Sequence, residues 1–387
     1  MSYESVVIRE INRYIASPLA WVVSFIFPLL MCIIICLIFN KATPADLPIG
    51  VYDADNSQIS RKIVRDLNTL QSCNVKYRPT SLKEGQQLLI EGKIYGFIMI
   101  PKNFQRDIYR MNQPKLVYYY NNQRILIGGI ITKDITALAQ SYIVGLDAKI
   151  KNKKGVPYDE AIKQSNLITV VDHIRSNPYF NYMYLISLTA FGHIMQIAIS
   201  MTSVWAIGTE FKFGTTKEWL KEADDSIIIA FLGKITPYFI IMMILFGIID
   251  QLYYGVFGAP YAGNIPIGFL CTILFTIACQ SLGIIFMSVN GNFRLGLSFC
   301  AFYVAIGFAL AGVTFPVMAM PKVVQAYTSI MPLNYWVQIL LDQSLRDIPY
   351  IYDFKFLIPL LAIIFVGHIA LIRLKQLAQD ETRWDQA

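Results

Sequence analysis

Long apolar runs alternate with short polar connections over most of the chain, and one large polar segment interrupts them. A transmembrane helix needs about 20 apolar residues, and six of the runs approach or exceed that length. The pattern therefore predicts a polytopic α-helical membrane protein with six transmembrane helices. We expect these spans at 18–40, 180–207, 227–249, 266–289, 295–312 and 354–372.

The first 17 residues place apolar side chains on one helical face and charged ones on the other. This spacing predicts an amphipathic helix lying at the membrane surface. The run that follows, 18–40, is too long for the apolar core of a signal peptide, and no small-residue cleavage site follows it. We therefore expect an uncleaved first transmembrane helix, with Pro28 kinking it.

Residues 41–178 are polar, and short strand-like runs alternate in them with runs at helical spacing. This alternation predicts an α/β domain inserted between transmembrane helices 1 and 2. Ser81 and Glu84 form a capping box that opens one of its helices. The expected strands are 49–52, 75–77, 95–100 and 116–120, and the other expected helices are 59–70 and 124–151.

Composition agrees with the membrane class. Hydrophobic residues make up 55% of the chain and charged residues 15%, which does not suit a soluble protein. Five of the six cysteines lie in apolar runs, so no disulfide framework is expected. No zinc-binding spacing is present either, and neither a metal site nor a nucleic-acid partner is expected.

The short connections indicate which side each one faces, because cytosolic loops carry an excess of lysine and arginine. The basic residues cluster at the N-terminus, in the loop 208–226, at Arg294 and around the polar tail 376–387. The connections on the other side of the membrane contain fewer lysines and arginines. We therefore expect both termini in the cytosol and residues 41–178 on the outer side of the membrane.

The loop 208–226 contains a second helix-start signature, in which Glu218 follows three residues after Thr215. A short cytosolic helix with an exposed tryptophan would suit docking of a partner protein. The same two residues would equally serve only to cap the helix. The residues expected to couple the loop to a partner are Glu210, Phe211, Phe213, Gly214, Thr215, Glu218, Trp219 and Leu220, with Phe211, Phe213, Trp219 and Leu220 as the touching side chains.

Residues 313–349 are apolar but interrupted by prolines, so they do not form a simple span. The pattern predicts a re-entrant hairpin on the external side, which is tolerated where protein buries its backbone. The whole segment 179–375 would then hold helices 2–6, the loop and this hairpin. The hairpin and gate residues are Phe315, Pro316, Met320, Pro321, Pro332 and Tyr335.

Three stretches resemble the permease subunit of ABC-2 type (type V) ABC transporters. They are IGVYDADNSQISR at 49–61, GTEFKFGTTKEWL at 208–220 with Gly233-Lys234 and Pro237 after it, and the Phe-Pro, Met-Pro and Pro positions of the 313–349 segment. Glu218 lies three residues after Thr215, where the family more often has two. The resemblance covers the whole chain in order.

This resemblance implies an exporter of amphiphilic, drug-like or lipid-like substrates. It implies pairing with a second permease copy or a sister permease, and binding of two cytosolic ATPase subunits. The chain contains no G-x-x-x-x-G-K-[S/T] phosphate loop, so ATP and Mg²⁺ are expected on the ATPase and no cofactor on this chain. Membrane lipids and a periplasmic adaptor protein are further expected partners.

Two other functions remain open at this level. One is a membrane-anchored receptor or sensor that binds a ligand through the external domain. The other is a membrane enzyme that holds Mg²⁺ with Asp53 and Asp55, which follow a predicted strand. The simpler interpretation of these two aspartates is a strand end and helix cap. His193 and His368 are interpreted as packing residues rather than relay groups.

Overall fold

A computed structural model describes residues 3–40, 43–110, 112, 114–121, 125–165, 181 and 183–380 of the chain. It separates into two compact units. The contiguous unit is Thr43–Ile174, and the helical unit combines Met1–Ala42 with Arg175–Ala387. The predicted insert, 41–178, has nearly the limits of the contiguous unit. The first residues of the predicted second span, 180 and 182, and most of the tail 376–387 lie outside the described residues.

The N-terminal segment forms the predicted amphipathic helix and then the first long apolar helix. Pro28 stands near the start of the second part of this apolar helix, directly after a π-helical stretch, Val22–Ile26. A proline lacks the N–H that the regular ladder needs, so the irregular turn lies where the kink is predicted. The helices are α1 (Tyr3–Ala16), α2 (Pro18–Trp21) and α3 (Phe27–Phe39).

The contiguous unit is built on a four-stranded sheet with the order β2-β1-β3-β4, in which only β4 runs antiparallel to its neighbour. All four predicted strands are confirmed within two residues. The strands are β1 (Leu47–Asp53), β2 (Cys73–Tyr77), β3 (Gly96–Ile100) and β4 (Val117–Tyr120). The helices are α4 (Gln58–Leu67), α5 (Leu82–Ile90), α6 (Phe104–Tyr109), α7 (Ile125–Lys153) and α8 (Tyr158–Ser165).

The core of this unit follows from its alternating sequence. Ile49, Ile98 and Ile100 on the two central strands are fully buried against α4 and α7. The predicted cap of α5 is present, because the Ser81 hydroxyl accepts the N–H of Glu84 at 3.2 Å. The carboxylate of Glu84 reaches back to the N–H of Thr80 at 2.7 Å. The two hydrogen bonds satisfy the backbone N–H groups of Glu84 and Thr80, which the helix itself leaves without an acceptor.

Among its described residues, the helical unit has five helices long and apolar enough to cross a membrane. They are Pro18–Phe39, Met183–Lys212, Ile227–Val256, Ile265–Asn290 and Tyr350–Gln379. Their regular α-helical parts are α3 with α2, then α9 (Leu188–Lys212), α11 (Ile227–Asp250), α12 (Ile265–Asn290) and α17 (Phe354–Gln379). The loop helix α10 (Thr216–Glu222) lies between α9 and α11.

The predicted fifth span, 295–312, is shorter than expected. It consists of α13 (Phe293–Ala305) and the single turn α14 (Gly307–Leu310), which are separated at Ile306. A Cβ atom on Gly307 would stand 2.9 Å from Nδ1 of His193 on α9. The chain thus approaches α9 closely at the break, and the total of six spans stays a prediction.

Small residues allow the long helices to pack closely, as in other membrane proteins. A Cβ on Gly283 of α12 would stand 2.2 Å from the Ser203 hydroxyl of α9. A Cβ on Gly367 of α17 would stand 2.6 Å from Cβ of Ser281 on α12. The backbones of α9 and α17 therefore both pack closely against that of α12.

Four segments predicted to face the cytosol meet at one end of these helices. The Arg13 guanidinium contacts the Glu210 carboxylate, and the Lys375 ammonium donates to the carbonyl of Asp225 at 2.6 Å. A Cβ on Gly291 would contact both Phe211 and Leu377. At the opposite end the connection 257–264 pairs with 342–353, where Gly263 N–H donates to the Gln343 carbonyl at 2.7 Å.

The segment 313–349 folds into two short helices, α15 (Lys322–Ser329) and α16 (Pro332–Leu341). The N–H of Leu333 at the start of α16 donates to the Gln196 amide oxygen at 3.0 Å. Gln196 lies 13 residues after Met183, so α16 begins about 20 Å along that span. This depth suits a re-entrant hairpin. Of the predicted gate residues, Met320 and Pro332 are buried, Tyr335 is half-buried, and Phe315, Pro316 and Pro321 are exposed.

Candidate functional site

The loop after α9 presents a narrow exposed face. α9 continues to Lys212, so Glu210 and Phe211 belong to its last turn rather than to the loop. Phe213 is 65% exposed directly after it, and Gly214 turns the chain with a positive φ of 65°. On α10 the side chains of Lys217, Glu218 and Lys221 are also exposed.

The predicted capping box at the start of α10 is wrong. The Thr215 side chain makes no cap hydrogen bond to the helix. Its hydroxyl donates instead to the carboxylate of Glu210, and Glu218 points outward. The Thr215 backbone, with φ −96° and ψ 12°, also lacks the extended conformation in which a capping hydroxyl faces the N–H groups of the first turn.

The expectation that Trp219 is exposed is also wrong. Trp219 has no exposed surface, and its indole N–H donates to the carbonyl of Ala230 at 3.0 Å. Leu220 and Phe211 are 3% and 1% exposed. These three aromatic and aliphatic side chains hold α10 onto α11 and the end of α9, so they cannot touch a partner in this conformation. Four apolar side chains were predicted to touch a partner, and of these Phe213 remains accessible.

Beneath α10 lies a buried lysine held between two carboxylates. Lys234 on α11 is 1% exposed, and its ammonium donates to Glu10 and to Glu210 at 2.6 Å each. Glu10 comes from α1, and its other carboxylate oxygen accepts the Tyr238 hydroxyl at 2.7 Å. Buried charges persist only when they are paired and hydrogen-bonded, and each of these is.

Two arginines of α1 complete this charge cluster, which we define as Arg9, Glu10, Arg13, Glu210, Glu222 and Lys234. Arg9 lies 3.2 Å from the Glu210 carboxylate and 3.8 Å from that of Glu222, and Arg13 contacts Glu210 as well. Three cations face three carboxylates, so the cluster is neutral overall. It joins α1, α9, α10 and α11 at one point.

Aromatic rings close the cluster toward the loop and toward the first span. The Lys234 ammonium stands 5.4 Å from the centre of the Trp219 ring, within range of a cation–π contact. Tyr14 on α1 packs edge-on against Tyr238 with centroids 5.5 Å apart. Burial raises the pKa of Tyr14, and its hydrogen bond with Ser24 opposes that shift. The inner part of the cluster, Glu10, Glu210 and Lys234, is therefore shielded from water.

Sequence reasoning missed this cluster as a unit. Arg9 and Arg13 served only as markers of sidedness, and Lys234 only as part of the family resemblance. One signal was available for Glu10: it shares a helical face with Val6 and Tyr14, both apolar positions that the structure buries. A second was Lys234, a basic residue inside an otherwise apolar run, which is rarely present without a partner.

The two aspartates considered for Mg²⁺ are occupied by local hydrogen bonds. Asp53 accepts the N–H groups of Asp55 and Asn56 at 3.0 and 2.9 Å and the Ser60 hydroxyl at 2.7 Å. Asp55 accepts the N–H of Gln105 at 3.0 Å. Within the described ranges no group of three acidic, cysteine or histidine side chains could hold a metal ion. All six cysteines are buried and free of disulfides.

The long apolar helices, the small sheet unit and the buried charges at one end of the helices define a multi-pass membrane protein. The chain belongs to the ABC-2 family of transporters, because the family model described as ABC-2 family transporter protein matches residues 19–372. The resemblance drawn from the three motif stretches is thereby confirmed. Members of this family are permease subunits, so the chain is a translocating subunit rather than an enzyme.

Two relatives from Escherichia coli K12 align along most of the chain. The chain is 22% identical over 344 residues to the "Probable multidrug ABC transporter permease YbhS", covering 86% of this chain and 85% of that protein. It is 26% identical over 313 residues to the "Inner membrane transport permease YhhJ", covering 77% of each. A Shigella flexneri protein with the latter description matches to the same extent.

Proposed function

We propose that this chain is the membrane-spanning subunit of an ATP-driven exporter in a bacterial inner membrane. Its substrate is an amphiphilic, drug-like or lipid-like molecule, and a separate cytosolic ATPase subunit binds ATP and Mg²⁺. Two permease copies, or this chain and a sister permease, form the pathway. The names of the relatives, one a probable multidrug permease and one an inner-membrane permease, support the substrate class and the location.

The observation that carries this proposal is the junction beneath α10. Three contacts tie α10 and its ends to other helices: Glu222 lies 3.8 Å from Arg9 of α1, the buried Trp219 donates to the Ala230 carbonyl of α11, and the Thr215 hydroxyl donates to Glu210 of α9. Lys375 ties the last helix to the carbonyl of Asp225. A displacement of α10 by a docked ATPase would therefore move the N-terminal helix and three long helices together. Rigidly connected elements transmit motion in this way, whereas a loop held only by its backbone does not.

The same junction supports a particular orientation of the chain across the membrane. The four segments rich in basic residues meet at one end of the helices, and this grouping supports a cytosolic location for that end. Residues 41–178 then lie outside, where they are available to a periplasmic adaptor protein. The hairpin 313–349 joins the long helices from the opposite end, as a gate on the external side would.

Phe213→Asp is expected to weaken docking of the ATPase by ~10-fold or more, because a central aromatic contact often dominates an interface. The measurement is co-purification of the full-length chain with ATP-binding cassette proteins of the same cell. Tyr109→Asp is the matched control, since Tyr109 is 55% exposed but lies on α6 of the contiguous unit. Equal recovery of the ATPase with both variants would contradict the docking role.

Asp53→Asn separates the exporter from the metal-dependent enzyme. The substitution removes one charged acceptor from the buried Ser60 hydroxyl, so we expect a loss of ~1–2 kcal/mol in stability. Export should remain intact. An enzyme that used Asp53 would lose Mg²⁺-dependent turnover instead, and the comparison of export with Mg²⁺-dependent activity decides between them. A receptor would bind its ligand with no need of an ATPase.

A further inference from the structure

The long helix α7 of the contiguous unit carries an apolar stripe that lines an open groove. Leu138, Tyr142 and Leu146 follow one another at four-residue spacing, which places them on one helical face. The groove has a volume of about 790 Å³, a size typical of sites for small molecules. The facing wall comes from α4 and α6, with Leu67, Phe104 and Ile108.

This groove remains exposed to solvent although its walls are apolar. Ile143, on the same stretch of α7, is 67% exposed, and Leu138 and Leu146 are only half-buried. The residues of α7 that line the groove extend from 135 to 150, a length of about 22 Å. An elongated apolar group laid along α7 would remove this surface from water, which is favourable.

A cationic pocket of about 610 Å³ adjoins the groove and shares Tyr142 and Leu146 with it. Lys62, Arg65 and Lys149 line this pocket against one carboxylate, that of Asp66, which leaves an excess of two positive charges. None of the three cations forms a salt bridge within the part of the chain that the structure describes.

Tyr142 marks the boundary between the two surfaces. Its hydroxyl donates to the Asp66 carboxylate at 2.5 Å, so the acidic group of the pocket is already engaged. The Lys62 ammonium stands over the Tyr142 ring, 5.8 Å from its centre, within range of a cation–π contact. The apolar wall of the groove and the positively charged wall of the pocket therefore meet at Tyr142.

We infer that the groove and the cationic pocket form one site for an amphiphile with an anionic headgroup. Its apolar chain lies along α7, and its headgroup meets Lys62 and Lys149. The charge excess favours a carboxylate, phosphate or sulfonate and disfavours a cationic headgroup. The assignment builds on the proposed function by giving the charge of an amphiphile that this domain holds, but binding itself does not require the ATPase.

The test uses the full-length chain in nanodiscs of zwitterionic phosphatidylcholine. The probe is a 16-carbon fatty acid with a photoreactive diazirine in its chain, and the comparison is the alcohol with the same chain. After illumination, mass spectrometry locates the labelled peptides. We expect the acid to label peptides of α6 and α7, and the alcohol to label them ~10-fold less.

Three variants separate the two parts of the site. Lys62→Glu combined with Lys149→Glu should lower labelling by the acid ~10-fold, because it reverses the charge at the headgroup. Ala139→Trp should abolish labelling, because Ala139 lines the groove and an indole would fill it. Lys76→Glu combined with Lys83→Glu makes the same change in net charge outside both surfaces and should leave labelling unchanged. Circular dichroism and the elution volume confirm that each variant folds.

Equal labelling by the acid and the alcohol would overturn the anionic assignment, and so would labelling that Ala139→Trp leaves intact. Binding of inorganic phosphate with no label in α7 would identify a site for free anions and overturn the proposal too. Labelling as expected in a chain that fails to export would contradict only the proposed function. Export without this labelling would contradict only the amphiphile site.

Discussion

Lys234→Met is expected to destabilise the helical unit by ~3–5 kcal/mol, because it leaves Glu10 and Glu210 without their shared buried cation. The loss should be seen as a fall in melting temperature of more than about 5 °C for the detergent-solubilised protein. The rate of export should also fall, because the substitution removes the cation that Glu10 and Glu210 share. The readouts are the fraction of monodisperse protein after heating and the rate of export.

Lys93→Met provides the matched control for this substitution. Lys93 pairs with Glu91 at 2.8 Å, but both side chains are well exposed, at 55% and 38%. Exposed pairs contribute little to stability, so the melting temperature should stay within about 2 °C of the original. Glu10→Gln combined with Lys234→Met should cost less than the sum of the two single changes. Equal effects of Lys234→Met and Lys93→Met would refute the structural role of the cluster.

Gly283→Ala is expected to have the second largest effect, a loss of ~1–3 kcal/mol, because the added methyl group cannot fit between α12 and α9. Its carbon would stand 2.2 Å from the Ser203 hydroxyl and 2.9 Å from a backbone carbon of Ser203. Since backbone cannot rotate away, the two helices must separate. The same thermal measurement in detergent reports the change.

Gly247→Ala is the matched control, because Gly247 is also helical but has nothing within 4 Å of the added carbon. Alanine favours a helix over glycine by ~0.5–1 kcal/mol, so this variant should be neutral or slightly more stable. Ser203→Gly should restore part of the stability of Gly283→Ala by removing the opposing side chain. A melting temperature for Gly283→Ala equal to that of Gly247→Ala would rule out close packing at this position.

The sheet of the contiguous unit could be predicted from sequence because its signals are local. Each strand is a short apolar run between polar helices, and the alternation alone defines an α/β arrangement. The cap at Ser81 was equally readable, since the partner lies three residues away. The same local signal failed at Thr215, because the backbone there is not extended and the hydroxyl is turned toward a carboxylate five residues earlier.

The charge cluster could not be predicted in the same way. Glu10 and Lys234 are separated by 224 positions, and no periodicity links two residues so far apart. Burial of Trp219 depends on contacts with α11, among them the hydrogen bond to the Ala230 carbonyl. A helix of seven residues has too little pattern to show which of its faces is covered. The break at Ile306 likewise reflects the approach to His193 and not the apolar run itself.

The separation between Glu10 and Lys234 also has a consequence for biosynthesis. Ribosomes add about 5–20 residues per second, so the 224 intervening residues take roughly 10–45 s to emerge. During that time α1 has neither Lys234 nor Glu210 to bind, while the contiguous unit, Thr43–Ile174, is already complete. The N-terminal helix must therefore wait on the membrane surface until α11 has been made, so its docking follows synthesis of the contiguous unit.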